Sequence, residues 1–433
     1  MAGYRIPAAR GPPTMAPMST LTLPPTPLRR DATVVGLVGL AHCASHFSQL
    51  LLAPLFPWLR DAFDVSYTEL GFLMTIFFVV SCVVQTLSGF VVDRHGPRPV
   101  LFAGLGLLGV AALGFAASQS YWTLAAFSVV AGIGNGVFHP VDYTVINRRV
   151  AKHRLAHAYS VHGITGSLGW ALAPALLVPI TLASSWRVAL LVAAGLVFGV
   201  LAVLWLWRGE LQVDPVDQPQ AAAQAGRTTP TPQAEHVLAF LRIPAVWMCF
   251  AFFFFFYAGA LSIVQTFAPQ SARALHTVPA QWAAMFLTIY MVCSAAGMLA
   301  GGFMAKDPER AERIVGIAFG LASIVALAIG FMSLPVLAVP VLFGAMGFVS
   351  GMAGPSRDLL VKRSAPDNAT GRVYGVVYSG LDIGQAVVPL GIGMLMDRGA
   401  FSSVWLALAL LQGVLIVSAF NVRRVRRTVL APA

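Results

Sequence analysis

Apolar residues along the chain come in long blocks, not in the alternating or one-face spacing of soluble elements. Twelve blocks stand out, at 34–58, 69–92, 99–118, 121–146, 156–180, 187–207, 244–268, 280–304, 311–332, 335–361, 372–396 and 402–421. A helix needs roughly 20 residues to cross the hydrocarbon of a bilayer, and each block supplies them. Short charged turns separate the blocks, except between the sixth and seventh. There 208–243 carries Asp214, Pro215, Asp217, Pro219, Pro230 and Pro232, and reads as a flexible cytoplasmic linker. The pattern predicts an all-α integral membrane fold of twelve transmembrane helices, as two six-helix bundles at 34–207 and 244–421. Residues 1–33 are rich in Pro, Thr and Arg and lack the short apolar core of a signal peptide, so they read as a disordered cytoplasmic tail. The stretch 422–433 reads as a basic cytoplasmic tail.

Composition sharpens this picture. Of 433 residues, 58% are hydrophobic and 10% charged, against about 25% charged in ordinary soluble domains. So few charges exclude a soluble enzyme or a disordered chain. The net charge of +11 would suit a nucleic-acid partner, but its placement argues otherwise. If the termini share one side, that side holds twenty-three of the Lys and Arg residues. The other side holds Arg60, Arg187, Arg273 and Arg398, and Arg357 lies inside the tenth block. The positive-inside rule then puts both termini and the linker in the cytoplasm of a multi-pass inner-membrane protein. Cys43, Cys82, Cys249 and Cys293 lie singly in apolar blocks and form no CxxC pair. They read as small buried side chains, with no disulfide frame or metal site.

The halves repeat. At an offset of 215, Pro140 falls on Pro355, Tyr159 on Tyr374, Val161 on Val376, Gly169 on Gly384 and Pro174 on Pro389; at 213, Gly89-Phe90 falls on Gly302-Phe303. Parallel six-helix repeats are one of the layouts of transporters, with the solute site between them.

After the second block comes Gly89-Phe90-Val91-Val92-Asp93-Arg94-His95-Gly96-Pro97-Arg98. This stretch resembles the GxxxDRxGxR loop of the major facilitator superfamily, and Gly393-Met394-Leu395-Met396-Asp397-Arg398-Gly399 is a weaker echo after the eleventh block. In the fourth block, Gly132-Ile133-Gly134-Asn135-Gly136 followed by His139-Pro140 is similar to the fosmidomycin-resistance branch of bacterial exporters. Two positions depart from drug–proton antiporters: Ser128 stands where Arg is common, and Ala173-Pro174-Ala175-Leu176-Leu177 keeps the proline of a helix 5 motif without its glycines. The resemblance implies alternating access, a cavity lined by helices 1, 4, 7 and 10 beside 2, 5, 8 and 11, and a loop motif (Gly89, Asp93, Arg94, Gly96, Arg98) that stabilises an outward-facing state. Gly89 is expected to allow close helix approach, with Asp93 facing the positive end of a neighbouring helix.

Ionisable and amide groups inside spans are costly and usually face a cavity or a partner. His42, His46 and Gln49 share one face of the first span; Asn135, His139 and Asp142 share a face of the fourth. The fifth span adds His162, the seventh Tyr257 and Gln265, the tenth Arg357 and Asp358, and the eleventh Tyr378, Asp382 and Gln385. Histidine titrates near pH 6.5, so the four histidines are candidates for proton coupling or solute contact, or else are hydrogen-bonded structural groups. Asp142, six residues before Arg148 and matched to Arg357 by the repeat, is expected with Arg357 and Asp358 in a cytoplasmic gate.

These readings converge on a secondary active transporter of a small organic solute, proton-coupled and exporting, working as a monomer in the lipid bilayer without cofactor or metal. Proton-linked uptake of an organic anion is the alternative. A membrane-embedded lipid enzyme fits poorly, because the outer loops are short and nearly devoid of reactive groups. No GxxxxGK[ST] loop is present to bind ATP.

Overall fold

The structure is a computed structural model describing residues 28–213, 247–248, 250–251, 260–304, 311–364 and 370–430; the side chains of Phe90, Asp93, Lys152, Ala156, Ala284 and Ala311 and of 357–364, 370–378 and 418–430 fall outside that description. The first half comprises α1 (Leu28–Gln49), α2 (Phe56–Phe63), α3 (Tyr67–His95), α4 (Pro97–Ala117), α5 (Tyr121–Asn135), α6 (Phe138–Arg149), α7 (Leu155–Ala183) and α8 (Trp186–Leu206). The second comprises α9 (Ser262–Thr266), α10 (Ala268–His276), α11 (Ala280–Met304), α12 (Ala311–Phe331), α13 (Ala338–Ser364), α14 (Thr370–Asp397) and α15 (Phe401–Leu430). No strand occurs among the described residues. Ten spans are long and apolar enough to cross a membrane, and a shorter apolar helix covers Phe401–Val417. Nearly half of the expected seventh block lies outside the described residues.

The block edges move where local chemistry outweighs hydropathy. Helix α1 starts at Leu28, inside the stretch expected to be a tail. Asp31 sits in its first turn, where a carboxylate suits the positive helix end, and accepts from Arg154 Nη1 at 2.8 Å and Ala151 N at 3.3 Å. At the other end, α15 runs on through Leu430. The first block does not continue to 58 as one helix. Pro54, which lacks an N–H and crowds the carbonyl four residues back, stands in a 3-10 turn at Ala53–Leu55, and α2 then starts with Pro57 in its first turn. The fourth block also divides. Pro140 cannot donate to Gly136 O, and Ser88 Oγ donates to that carbonyl instead at 3.2 Å. The helix is interrupted at Gly136–Val137, between Asn135 and Phe138.

Within the first half α1 packs on α7, and α4 on α5 and α8; within the second, α11 packs on α13 and α12 on α15. The tightest seam is α11 on α13. A Cβ on Gly297 would stand 2.0 Å from Phe348 O, and one on Gly351 2.0 Å from Ser294 O, so only glycine permits this approach. The halves meet along α3 with α14 and α7 with α11. Contact is closest at the end away from the termini. A Cβ on Gly71 would lie 2.6 Å from Pro389 O, and one on Gly393 2.8 Å from Thr68 Cα. Phe267 packs there against Phe56 and Tyr67. From that end, inter-half hydrogen bonds reach mid-depth: Thr75 Oγ1 donates to Ala386 O, and Gln85 Nε2 to Asp382 Oδ2.

Candidate functional site

Five ionisable side chains from three helices converge inside the first half. His42 and His46 lie one turn apart on α1, His139 and Asp142 on α6, and His162 on α7. Asp142 is wholly buried. Its Oδ2 is 3.0 Å from His162 Nε2 and 3.1 Å from His42 Nδ1. The His42 and His162 rings stack at 3.6 Å between centroids. His46 lies 4.2 Å from His42 and stacks on Trp170 at 4.3 Å. His139 is 5.4 Å from His42, and Tyr143 5.4 Å from His162. Asp142 Oδ1 is buried and accepts no hydrogen bond among the described residues. A lone buried carboxylate is strongly unfavourable, and the two imidazole nitrogens beside Oδ2 are the groups placed to pair with it. Space for the rings comes from α7: a Cβ on Gly166 would meet His46 Cε1 at 2.8 Å and His42 Nε2 at 2.9 Å, and one on Gly169 Cys43 O at 2.3 Å.

A neutral network lies beside the cluster. Asn135 Oδ1 accepts from Ser45 Oγ at 2.8 Å and Gln49 Nε2 at 3.2 Å, while Asn135 Nδ2 donates to Ser81 Oγ at 2.8 Å. Trp170 Nε1 donates to Gln49 Oε1 at 2.9 Å. Through its stack on His46, Trp170 joins the two sets. Gly132 and Gly136 flank this asparagine against α3: their Cβ atoms would stand 2.6 Å from Phe77 O and from Ser81 O. The glycine run therefore seats Asn135 by allowing α5 to touch α3.

In the second half Asp382, Gln385 and Gln265 are buried. Asp382 faces the first half and accepts from Gln85 at 3.3 Å; Gln265 Nε2 donates to no hydrogen-bond partner among the described residues. Tyr257 lies outside the described residues, as do the side chains of Asp93, Arg357, Asp358 and Tyr378. Asp142, expected in a gate with Arg357 and Asp358, stands among the histidines, and the side chains of its two expected gate partners lie outside the described residues. In the loop motif, Gly96 adopts φ +80 between α3 and α4, a backbone state that favours glycine. Arg98 Nη1 donates to Gln212 Oε1 at 3.1 Å, and Arg94 is exposed. A Cβ on Gly89 would meet nothing within 4 Å among the described residues.

Chemically, the cluster can take up and release protons and can present imidazole N–H groups to an anion. Two imidazole nitrogens and a carboxylate oxygen within 4.8 Å are also donors a cation could use, but the His–Asp pairing engages those same atoms.

The family model for the Major Facilitator Superfamily matches residues 38–389 and 254–432. The chain belongs to that superfamily. Its members transport solutes, so this chain is a multi-pass membrane transporter and not an enzyme. It is 26% identical to the fosmidomycin resistance protein of Escherichia coli over 305 residues, 69% of this chain and 71% of that one. It is 22% identical to the hexuronate transporter of Bacillus subtilis over 396 residues, 86% and 90% of the two chains. Among solved structures, a bacterial homologue of the human lysosomal transporter Spinster, inward-facing and occupied, superposes with a TM-score of 0.67 at 13% identity, covering 90% of this chain and 95% of that one. The superfamily fold accounts for the two bundles, the α3–α14 and α7–α11 seams and the glycine-lined helix contacts.

Five groups at the site escaped the sequence reading: Ser45, Ser81, Gln85, Tyr143 and Trp170. Trp170 lies in an apolar block and looks like core. Ser81 and Gln85 lie in the second block, where an amide within an apolar run was the available signal.

Proposed function

We propose that the chain is a proton-coupled secondary transporter that exports a small organic solute across the cytoplasmic membrane by alternating access, and that His42, Asp142 and His162 carry the coupling proton. The observation behind this is one buried carboxylate oxygen set 3.0 and 3.1 Å from two imidazole nitrogens on separate helices. A proton entering or leaving this cluster changes the charge at the meeting point of α1, α6 and α7, which can bias one helix arrangement over another. In the proposed arrangement, bundles 34–207 and 244–421 move as units about the cavity. The linker 208–243 and both tails are cytoplasmic, and one chain suffices. His46, His139, Gln49, Asn135, Gln265, Asp382 and Gln385 line the solute path with Tyr257 and Tyr378, and Arg357 and Asp358 gate its cytoplasmic mouth. The seam at the end away from the termini supports a state open toward the cytoplasm.

Export follows the name of the Escherichia coli relative. Uptake of an organic anion is the second reading, supported by four histidines at one buried point and by a relative named for hexuronate.

Counterflow in proteoliposomes with an imposed pH gradient tests both, screened over antibiotics and organic anions. Export predicts accumulation of one solute against an opposed proton flow. His162→Asn and Asp142→Asn should reduce gradient-driven flux to background while solute exchange persists. Accumulation that moves with the proton would replace export by uptake. Full gradient-driven flux in both His42→Ala and His46→Ala would remove the histidines from the mechanism.

A further inference from the structure

Helix α3 begins with a capping box. Ser66 N donates to Glu69 Oε2 at 2.8 Å, and Glu69 N donates to Ser66 Oγ at 3.1 Å. That arrangement leaves the N–H groups of Tyr67 and Thr68, two of the four every helix start leaves without an intrahelical acceptor. Both go to the other half of the molecule. Asp397, the last residue of α14, accepts from Tyr67 N at 2.8 Å through Oδ1 and from Thr68 N at 2.9 Å through Oδ2, and Thr68 Oγ1 donates to Oδ2 at 2.5 Å. One carboxylate thus completes the amino-terminal cap of a helix in the opposite bundle, at the end where the halves are closed.

We propose that Asp397 is an inter-half latch, a positioning residue that stabilises the state closed at the end away from the termini and releases when the halves part there. The assignment rests on the alternating-access reading. The chemistry is that of a charged cap: a carboxylate suits the positive end of a helix and accepts its free N–H groups. On separation water takes over those two donors, so the latch is weak and reversible, as a transporter cycle requires. Asp397 belongs to the stretch Gly393–Gly399 that echoes the loop motif at 89–98, and Gly393 of the same stretch brings its backbone against Thr68. The echo thereby acquires a role of its own: its glycine sets the approach and its aspartate makes the bond.

The test uses the full-length protein in lipid with its four cysteines replaced and spin labels at Asp61→Cys on α2 and Ala274→Cys on α10, one label on each half near the closed end. Relative to the labelled parent, Asp397→Ala should raise the ratio of the long-distance to the short-distance population about fivefold, the shift that goes with losing one charged cap. Asp397→Asn keeps the shape and should shift it less. Ser66→Ala removes a cap internal to one half and should lower the melting temperature without moving the distances. If Asp397→Ala does not fold, Asp397→Asn is read in its place. A distance distribution in the Asp397 variants identical to the parent overturns the latch and leaves alternating access standing, because the parent's own response to a pH gradient reports on that separately.

Discussion

At the scale of single residues, the histidine cluster depends on atoms that are missing. Gly166 and Gly163 lie one turn apart on α7, both mid-helix, yet a Cβ at 166 would enter the imidazoles of His42 and His46 while one at 163 would meet nothing within 4 Å. Overpacking of this kind costs about 1–3 kcal/mol. Gly166→Ala should therefore lower the melting temperature of the purified protein and reduce gradient-driven transport severely, with Gly163→Ala close to wild type in both measurements. Equal behaviour of the two variants would mean that ring placement is not limiting. Finding the ionisable members of this site in the sequence was easy, since His42, His46, His139, Asp142 and His162 are conspicuous in apolar blocks. Their pairing was not legible. Asp142 is near Arg148 in sequence and was expected in a gate; which groups of α1 and α7 it meets depends on how those helices pack.

The interruption at Gly136–Val137 is the main departure at the scale of elements. Hydropathy marks 121–146 as one span because hydropathy carries no information on backbone direction. The proline was visible, but its match at Pro355 lies inside the uninterrupted α13, so proline alone does not break the helix. In the first half the residues around it are Gly136, which presses on α3, and Ser88, which takes the freed carbonyl. Asn135, before the interruption, bonds to both α1 and α3, and His139 and Asp142, after it, lie among the histidines of α1 and α7. Pro140→Ala restores a donor to Gly136 O and removes a ring that a helix accommodates poorly. The variant should melt at or above the wild-type temperature and yet transport near background, because a continuous helix shifts Asp142 relative to His42 and His162. Stable protein with undiminished transport would show that the interruption is only packing.

For the whole molecule, the question is whether the seam between the halves opens. Helix count, repeat and loop motif made the two-bundle architecture readable from the sequence, since each follows from hydropathy or from glycine and charge at fixed spacing. Which end is closed was not readable, because a transporter sequence encodes both states and favours one by small differences in contact. The seam shows where such a difference can be tested. At Gly71 the opposing group is Pro389 O, at Gly393 it is the Thr68 backbone, and neither is a flexible side chain able to yield. An indole at either position inserts a large rigid group, of the kind that buries about 150–250 Å², where not even a methyl fits. Gly71→Trp and Gly393→Trp should hold this end open, so that each protein folds and still binds solute from that side but completes no cycle, and both net transport and exchange fall to background. The wedge differs from loss of Asp397, which removes a weak bond and leaves the seam free to close, so that variant should keep cycling with its resting state shifted. Wild-type transport in both tryptophan variants would show that closure of α3 on α14 is not part of the cycle.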